Sequence, residues 1–344
     1  MKGVTKSPYT NARAVLKHEI KDAEFRNEEF KYYYFFYQCE ETGNKFTTPE
    51  IGDLNLNQIY NQYRERKKIP SLEQIVEARV NYNLSAYKMS TILGFGVNTY
   101  SKYERGEIPT PANGDILRIA CEPENFREEF VKIKEDLFEK KQLDKLYERL
   151  DKLIEKRNQK REILNEIWSL WDNSTIPTEN TGFKAPSFNK FANMVIFFIQ
   201  KEAKRAFASR LNKLLFYSDF LNFKRTGFSI SGAVYHANTW GTVPIKSHIA
   251  FSVLRQLNKI DTEPAFINNS EEVIERFILL GNFDLSLFTQ AELNIMNEVY
   301  EKFKEIETKD LINKINHKEK AWVELIEGRK RISYQKYAFE LKAI

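Results

Sequence analysis

Residues 84–111 read LSAYKMSTILGFGVNTYSKYERGEIPTP, and their spacing predicts two short helices joined by a tight turn. Ser85 suits the N-cap of the first helix, because its hydroxyl can accept a bond from a free backbone N–H group. Gly94 and Gly96 supply the turn. Gly106 stands where a glycine commonly ends a helix. The stretch therefore predicts a helix-turn-helix.

Apolar residues recur at helical spacing in this stretch and predict its buried side. The first helix is expected to bury Met89, Ile92 and Leu93. The second helix, from Val97 to Glu104, is expected to turn Val97 and Tyr100 inward.

Further helices are predicted upstream. Residues 50–72 are helical and basic in pattern and end at Pro70. Ser71 followed by Gln74 matches a capping box at the start of the next helix. Residues 71–120 are expected to form four or five short helices.

Hydrogen-bonding side chains on the second helix of the motif suit the reading of DNA. Such a helix can enter the major groove, where asparagine pairs with adenine and a basic residue reaches guanine or phosphate. The predicted base-reading residues are Asn98, Thr99, Ser101 and Lys102. The predicted phosphate contacts, which position the protein without specifying sequence, are Tyr87, Lys88 and Arg105. The alternative is a helical packing unit with an ordinary polar surface.

The segment LGFGVNTYSKYERGE resembles the helix-turn-helix of MqsA-like antitoxins. That resemblance assigns base contacts to Asn98 and Lys102, where lysine replaces the usual arginine and loses its bidentate fork. The same family carries a zinc ribbon with paired C-x-x-C motifs. Here only Cys39 remains, and Thr42 stands where its partner would be. We therefore expect a ribbon that holds no metal, with Cys39 as a buried small hydrophobe.

Composition limits the class of protein. A hydrophobic fraction of 42% excludes disorder, and a net charge of +5 favours a local nucleic-acid contact over a global basic field. Two cysteines fit a reducing compartment. No secretory signal is visible at the start, and the most apolar run, FANMVIFFI, is far shorter than the roughly 20 residues of a membrane span. A cytoplasmic protein without a membrane partner is expected.

Residues 13–48 predict a small antiparallel β-ribbon, with strands at Val15 and at the aromatic block 32–37. Residues 125–172, which lack glycine and proline, predict a long charged helix. Its leucines at 143, 146, 150 and 153 fit either a coiled-coil dimer or a helix packed on its own chain. Residues 173–187 read as a linker.

Residues 188–344 are mostly helical in pattern, interrupted by a loop or short hairpin at 224–247. They contain no nucleophile beside a base and no phosphate-binding glycine loop. The four histidines lack metal-ligand spacing. We therefore expect no enzymatic activity and no cofactor.

The same half resembles the Panacea domain of SocA-like antitoxins. The matching positions are residues 213–217, Asp219, Phe220, Lys224, Thr226, Gly227, residues 229–232, Tyr235, Gly241, Pro244, His317, Glu319 and Trp322. One departure is Thr239-Trp240, where the family more often has Pro-Tyr. The resemblance implies binding and neutralisation of a toxin encoded beside it, and several such toxins are small alarmone synthetase-like enzymes. Trp240, then Tyr217 and Tyr235, are the predicted toxin contacts. Core packing is the alternative for two of the three.

The sequence thus predicts a mainly α fold with a small N-terminal β-ribbon, divided into a ribbon (1–50), a helix-turn-helix domain (51–124), a long helix with linker (125–187) and a Panacea domain (188–344). The predicted function is an antitoxin that neutralises a toxin and, as a homodimer, represses its own operon by binding operator DNA. Alternatives are a phage or mobile-element transcription regulator and a proteolysis adaptor.

Overall fold

The structure, a computed structural model, describes residues 3–168, 176–266 and 273–344, with the side chains of all of these except 159–168 and 266. It opens with a four-stranded antiparallel sheet in the order β1-β2-β3-β4. The strands are β1 (Val4–Lys6), β2 (Arg13–Phe25), β3 (Glu28–Cys39) and β4 (Lys45–Phe46). Arg26 and Asn27, both with positive φ, form the two-residue turn between the long strands.

The predicted fold class, mainly α with only a small β-ribbon, is wrong. The N-terminal sheet has central strands of 13 and 12 residues. Two further antiparallel hairpins occur in the described part of the carboxy-terminal half. The strands of the two later hairpins have only four and seven residues, and such short segments do not stand out within a half of the chain whose pattern is mostly helical.

Helix α1 (Pro49–Arg66) covers the part of the β3 edge that the short strand β4 does not reach. The Asn55 side chain accepts from the Phe35 N–H at 2.9 Å and donates to the Phe35 carbonyl at 2.9 Å. Gln58 repeats this exchange with the backbone of Tyr33, again with both distances at 2.9 Å. Two amide side chains therefore take the place of a neighbouring strand on an edge that would otherwise be open to pairing.

Two compact units divide the chain, and each is described by itself. One unit combines the residues before Tyr63 with Thr178–Ile344, and the other comprises Tyr63–Pro177. The predicted four-part division remains a prediction. The helices of the second unit are α2 (Leu72–Tyr82), α3 (Ala86–Leu93), α4 (Thr99–Glu104), α5 (Pro111–Ala120), α6 (Pro123–Phe126) and α7 (Lys140–Trp168).

The long helix is shorter than predicted. A π-helical segment (Arg127–Val131) and a 3-10 segment (Lys132–Leu137) precede α7, which begins only at Lys140. Leu146 and Leu150 are buried in the same core as Met89 and Tyr100, with Leu143 and Leu153 packed against it. This part of the leucine seam therefore packs on its own chain. Of the predicted linker, residues 173–175 lie outside the described part of the chain.

The carboxy-terminal part of the first unit surrounds one buried helix. Its elements are α8 (Phe188–Glu202), α9 (Ala208–Thr226), β5 (Tyr235–Asn238), β6 (Gly241–Pro244), α10 (Ser247–Gln256), β7 (Ile260–Phe266), β8 (Val273–Leu279), α11 (Gln290–Phe303), α12 (Thr308–Asp310), α13 (Lys320–Leu325) and α14 (Tyr334–Tyr337). Every residue of α9 from Arg210 to Phe223 is buried. Because α9 is covered on all sides, it forms the centre of the hydrophobic core.

The N-terminal sheet belongs to this same core. Tyr33 packs on Phe339 with ring centroids 4.8 Å apart, and its hydroxyl lies 3.1 Å from a Glu340 carboxylate oxygen. Gln335 donates to the Gln58 side chain at 3.0 Å. The first 62 residues and the last part of the chain therefore fold as one body.

Candidate functional site

The caps and turn of the helix pair α3 and α4, and the cap of α2 before it, follow directly from the sequence. Ser71 and Gln74 form the predicted capping box of α2, and Ser85 caps α3 by accepting from the Lys88 N–H. Gly94, with φ of 74°, ends α3 in the left-handed conformation that glycine adopts without strain. Gly106, with φ of 100°, follows the end of α4. These four predictions are confirmed.

Buried tyrosines fix α4 against α2 and α3. The Tyr100 hydroxyl donates to the Ile75 carbonyl at 2.7 Å, and its backbone N–H donates to Ser90 Oγ at 3.1 Å. Burial raises the pKa of Tyr100, so this phenol stays protonated and able to donate. Arg79 of α2 pairs with Glu104 at 2.5 Å. The second helix of the motif is thus held rigidly by both ends.

The predicted base-reading residues line one short helix. Asn98 occupies the N-cap position of α4 and makes no capping bond with its side chain. Asn98 and Lys102 are exposed, whereas Thr99 and Ser101 are half-buried. Val97, expected to point inward, is 63% exposed because α4 begins only at Thr99 and leaves Val97 in the turn. An exposed aliphatic side chain there could contact a thymine methyl group.

The three residues predicted to contact phosphate differ in their exposure and in the hydrogen bonds that they already make. Tyr87 is 60% exposed. Arg105 is exposed and donates from Nε to the Ser101 carbonyl at 3.2 Å. Lys88 instead donates its ammonium to the Leu137 carbonyl and lies 4.2 Å from the centroid of the Phe138 ring. Lys88 therefore holds the segment after the π-helix in place, a role that sequence spacing could not reveal.

A buried carboxylate organises the carboxy-terminal half. Asp219 of α9 accepts from the Ile230 and Ser231 N–H groups at 2.8 Å each, from Ser231 Oγ at 2.6 Å and from the Tyr235 hydroxyl at 2.8 Å. Burial raises the pKa of Asp219, and these hydrogen bonds oppose the shift. Four donors around one carboxyl group fix the loop between α9 and β5 onto the helix.

The predicted toxin contacts Tyr217 and Tyr235 lie in this core. Both side chains are fully buried. The Tyr217 hydroxyl lies 3.2 Å from Glu319, and Tyr235 donates to Asp219. Neither offers surface to a partner. The sequence could not separate them from surface aromatics, because α9 is apolar around most of its circumference.

Trp240 is the predicted contact that reaches the surface. It lies in the turn of the β5–β6 hairpin, residues 238–241, which we call the Trp240 turn, and 66% of the residue is exposed. Beneath it, the fully buried Lys213 donates to the Thr242 carbonyl at 2.8 Å. Removal from water lowers the pKa of Lys213 to about 7. A buried hydrogen bond from Lys213, one of the positions that resemble the Panacea domain, therefore supports the turn from inside the fold.

Trp322 holds the hairpin from the other side, with His317 stacked on it, whereas Glu319 binds the backbone at residues 342 and 343. The Trp322 indole N–H donates to the Asn238 carbonyl at 2.8 Å, and the His317 ring stacks on Trp322 with centroids 4.0 Å apart. The Glu319 carboxylate accepts from the backbone N–H groups of Lys342 and Ala343 at 3.0 and 3.1 Å. These motif residues have structural roles.

Cys39 is buried at the end of β3. Hydrogen bonds from Ser7, Thr42 and Thr10 lower the pKa of its thiol to about 6.

Within residues 3–168, 176–266 and 273–344, the structure contains no cluster of three histidine, cysteine or carboxylate side chains arranged for a metal. None of the described helices has the length and apolar content needed to cross a membrane.

Residues 211–323 match the family model described as "Antitoxin SocA-like, Panacea domain". The matched region begins in α9, includes the Asp219 network and the Trp240 turn, and ends in α13. This region of the chain is therefore similar to an antitoxin domain. A search of the curated proteins found no match for the chain.

Proposed function

We propose that this protein is the antitoxin of a type II toxin-antitoxin system. Its Panacea domain binds a cognate toxin protein directly and neutralises it, without catalysis or cofactor, in the cytoplasm. The observation that carries the proposal is the match of residues 211–323 to the antitoxin family. A rigid hairpin with an exposed tryptophan supports it, because such side chains anchor protein interfaces.

The second part of the proposal is repression of the shared operon through the helix-turn-helix. Asn98 and Lys102 are exposed on a helix whose orientation is fixed by Tyr100 and Arg79. One such module contacts few base pairs, so a homodimer on an inverted repeat supplies the specificity. Light scattering at micromolar concentration is expected to give twice the chain mass of 40.6 kDa. A clean monomer would contradict the dimeric repressor.

The decisive experiment is co-expression with the adjacent gene, each under its own heterologous promoter, so that operon repression cannot explain any rescue. The neighbour alone is expected to stop growth, and the full chain to restore it. A small alarmone synthetase-like enzyme is the toxin class that we propose for the neighbour. Purified toxin is expected to form a stoichiometric complex with the chain.

Other outcomes would select the other two functions. A harmless neighbour, combined with binding of the chain to its own promoter, would favour a mobile-element transcription regulator. If partner lifetime rather than partner activity changed with this chain, a proteolysis adaptor would be favoured. Either result would contradict the antitoxin proposal.

A further inference from the structure

One face of the N-terminal hairpin carries a row of aromatic rings, which we call the aromatic row. Tyr32, Tyr34 and Phe36 occupy alternate positions of β3 and therefore point to the same side of the sheet. The ring centroids of Tyr32 and Tyr34 are 6.2 Å apart, and those of Tyr34 and Phe36 are 5.6 Å apart. Both tyrosines are half-buried, so part of each side chain reaches the surface.

Lysine side chains lie over this row. Lys21 Nζ is 3.9 Å from the centroid of the Tyr34 ring. Lys45 Nζ is 4.3 Å from the centroid of the Phe36 ring, which is buried. Both lysines are also paired with Glu19, at 3.2 and 3.4 Å, and 44% and 47% of their side chains remain exposed. Because exposed cation–π contacts and ion pairs are weak, the ammonium groups can leave the rings with a small loss of free energy.

The two faces of the hairpin differ in charge. Paired residues of an antiparallel sheet share a face, so the register assigns each charged side chain to one of them. The face with the aromatic row carries five exposed cations, which are Lys6, Arg13, Lys17, Lys21 and Lys45. The strand acids on that face are Glu19 and Glu28, and Glu40, just after β3, lies 3.9 Å from Arg13. The opposite face carries Asp22, Glu24 and Glu29 with Lys31. The excess of positive charge therefore lies on the aromatic face.

The opposite side of β3 is anchored in the core. Tyr33 and Phe35, which alternate with the aromatic row, pack on Phe339 with ring centroids 4.8 and 5.2 Å apart. Helix α1 bonds the backbone of the same two residues. The tyrosines of the row are thus held in place before a ligand arrives, which limits the conformational entropy lost on binding.

We propose that this face binds single-stranded nucleic acid, with bases stacked on Tyr32 and Tyr34 and phosphates paired with the surrounding lysines. On binding, Lys21 exchanges the Tyr34 ring for a phosphate, and the ring becomes free for a base. Lys17, which donates to the neutral Gln38 side chain at 2.8 Å, adds a second phosphate contact.

The combination of rings and cations favours a single strand over other ligands. Proteins that hold single strands combine stacking aromatic side chains with a positive surface, and some do so on the open face of a sheet. The bases of a duplex stack on one another and cannot stack on the two tyrosines. The proposal does not depend on the antitoxin role.

The test measures fluorescence anisotropy of labelled strands of about 15 nucleotides with the full chain, using oligouridine RNA and oligothymidine DNA. An abasic strand of the same length supplies the phosphates without the bases. The strands that carry bases are expected to bind about 10-fold more tightly than the abasic strand. A preference for the RNA or the DNA identifies which kind of strand the face takes.

Two variants separate stacking from charge. Tyr32→Leu with Tyr34→Leu keeps apolar side chains on the sheet and removes the rings, so it is expected to weaken oligouridine binding about 10-fold and to leave the abasic strand unaffected. Lys17→Gln with Lys21→Gln is expected to weaken the binding of both strands. It should also lower the slope of log affinity against log salt by about 1.4, for two lost phosphate contacts.

Matched controls lie elsewhere on the same unit. Tyr300 of α11 is half-buried, with Lys201 Nζ 5.5 Å from its ring centroid, and Tyr300→Leu repeats the removal of a ring beside a lysine. Lys302→Gln with Lys309→Gln removes two exposed lysines. Both controls are expected to bind as the wild type does. Circular dichroism and thermal unfolding check that every variant is folded.

Three outcomes would overturn the proposal. The first is an abasic strand that binds the wild type as tightly as oligouridine, or no binding of any strand at physiological ionic strength. The second is wild-type affinity in the folded Tyr32→Leu, Tyr34→Leu variant. The third is a lysine variant that binds single strands unchanged but loses the purified product of the adjacent gene, which would assign the face to an acidic protein.

Discussion

The ionisation of Lys213 couples the stability of the carboxy-terminal core to pH. Its ordinary pKa of 10.5 falls to about 7 in the folded protein. Between these values the unfolded chain binds a proton that the folded chain does not bind. The contribution of Lys213 to the free energy of unfolding therefore rises with pH between the two pKa values, and it is least favourable at pH values below both.

Lys213→Met is expected to remove that dependence. Between pH 7.5 and 9.5, the unfolding free energy of the wild type should rise with pH more steeply than that of the variant by up to about 1.4 kcal/mol per pH unit. Urea denaturation at each pH measures the difference in slope. Lys302→Met, at an exposed lysine, is the control and should keep the wild-type slope. Equal slopes in the wild type and Lys213→Met would refute the assigned pKa.

Asn98 is the residue on which sequence-specific DNA binding is expected to depend. Asn98→Ala should weaken binding to the chain's own promoter by about 1–3 kcal/mol, the contribution of a bidentate base contact. Toxin neutralisation should be unaffected, because the Trp240 turn belongs to the other unit.

Fluorescence anisotropy with promoter and scrambled DNA measures the effect. Asn81→Ala is the matched control, since Asn81 is an exposed asparagine on α2. If Asn98→Ala abolished neutralisation while the protein stayed folded, the two sites would not be separate.

Single residues also show how far the sequence could predict the site. Ser71, Ser85 and Gly94 were predictable because caps and left-handed turns depend on a few neighbouring residues. Val97 was not, because its direction depends on where α4 begins. Tyr217 and Tyr235 were not, because burial is decided by residues such as Glu319 and Asp219, which the chain brings near only on folding.

Among the elements, β3 depends on α1 at the positions where no strand pairs with it. The two amide side chains of α1 satisfy the backbone of β3 at Tyr33 and Phe35. Asn55→Ala would leave a buried N–H and a buried carbonyl of Phe35 without these partners. Each unsatisfied buried group is unfavourable by about 1–3 kcal/mol.

Asn55→Ala is therefore expected to lower the free energy of unfolding by about 2–4 kcal/mol. Leu56→Ala, one residue along and facing solvent, should change it by less than about 0.5 kcal/mol. Chemical denaturation of the full chain compares them. A small and equal effect from both changes would show that α1 does not protect the strand edge.

Some of the helices and strands could be predicted from the sequence pattern, and others could not. The helices α3 and α4 can be predicted because caps, glycines and apolar spacing occur together in one short stretch. Strands β1 and β4 have three and two residues, too few for any periodicity to appear. Strands β7 and β8, IDTEPAF and VIERFIL, lack a strict alternation of apolar and polar residues and lie within a region of mostly helical pattern.

For the whole molecule, the two units predict which pieces can work alone. Residues 188–344 lack the sheet and α1, which contribute Tyr33 and Gln58 to the contacts of Phe339 and Gln335. This fragment is expected to unfold or aggregate. Replacing residues 63–177 by a flexible Gly-Ser linker, in contrast, should keep toxin neutralisation and abolish DNA binding.

The growth assay and promoter binding measure these two activities side by side. Circular dichroism establishes whether each protein is folded. A well-folded 188–344 fragment that neutralises fully would show that the N-terminal sheet is dispensable for the carboxy-terminal core.

The bond between Gln58 and Gln335 joins residues 277 positions apart. During synthesis, the contact between α1 and Gln335 can form only after almost the entire chain has left the ribosome, whereas residues 71–150 have all emerged much earlier. A nascent chain arrested near residue 220 is expected to protect residues 71–150 from protease while residues 3–62 remain cleavable. The proposed DNA-binding surface would then be complete before the proposed toxin-binding domain, in every copy that is made.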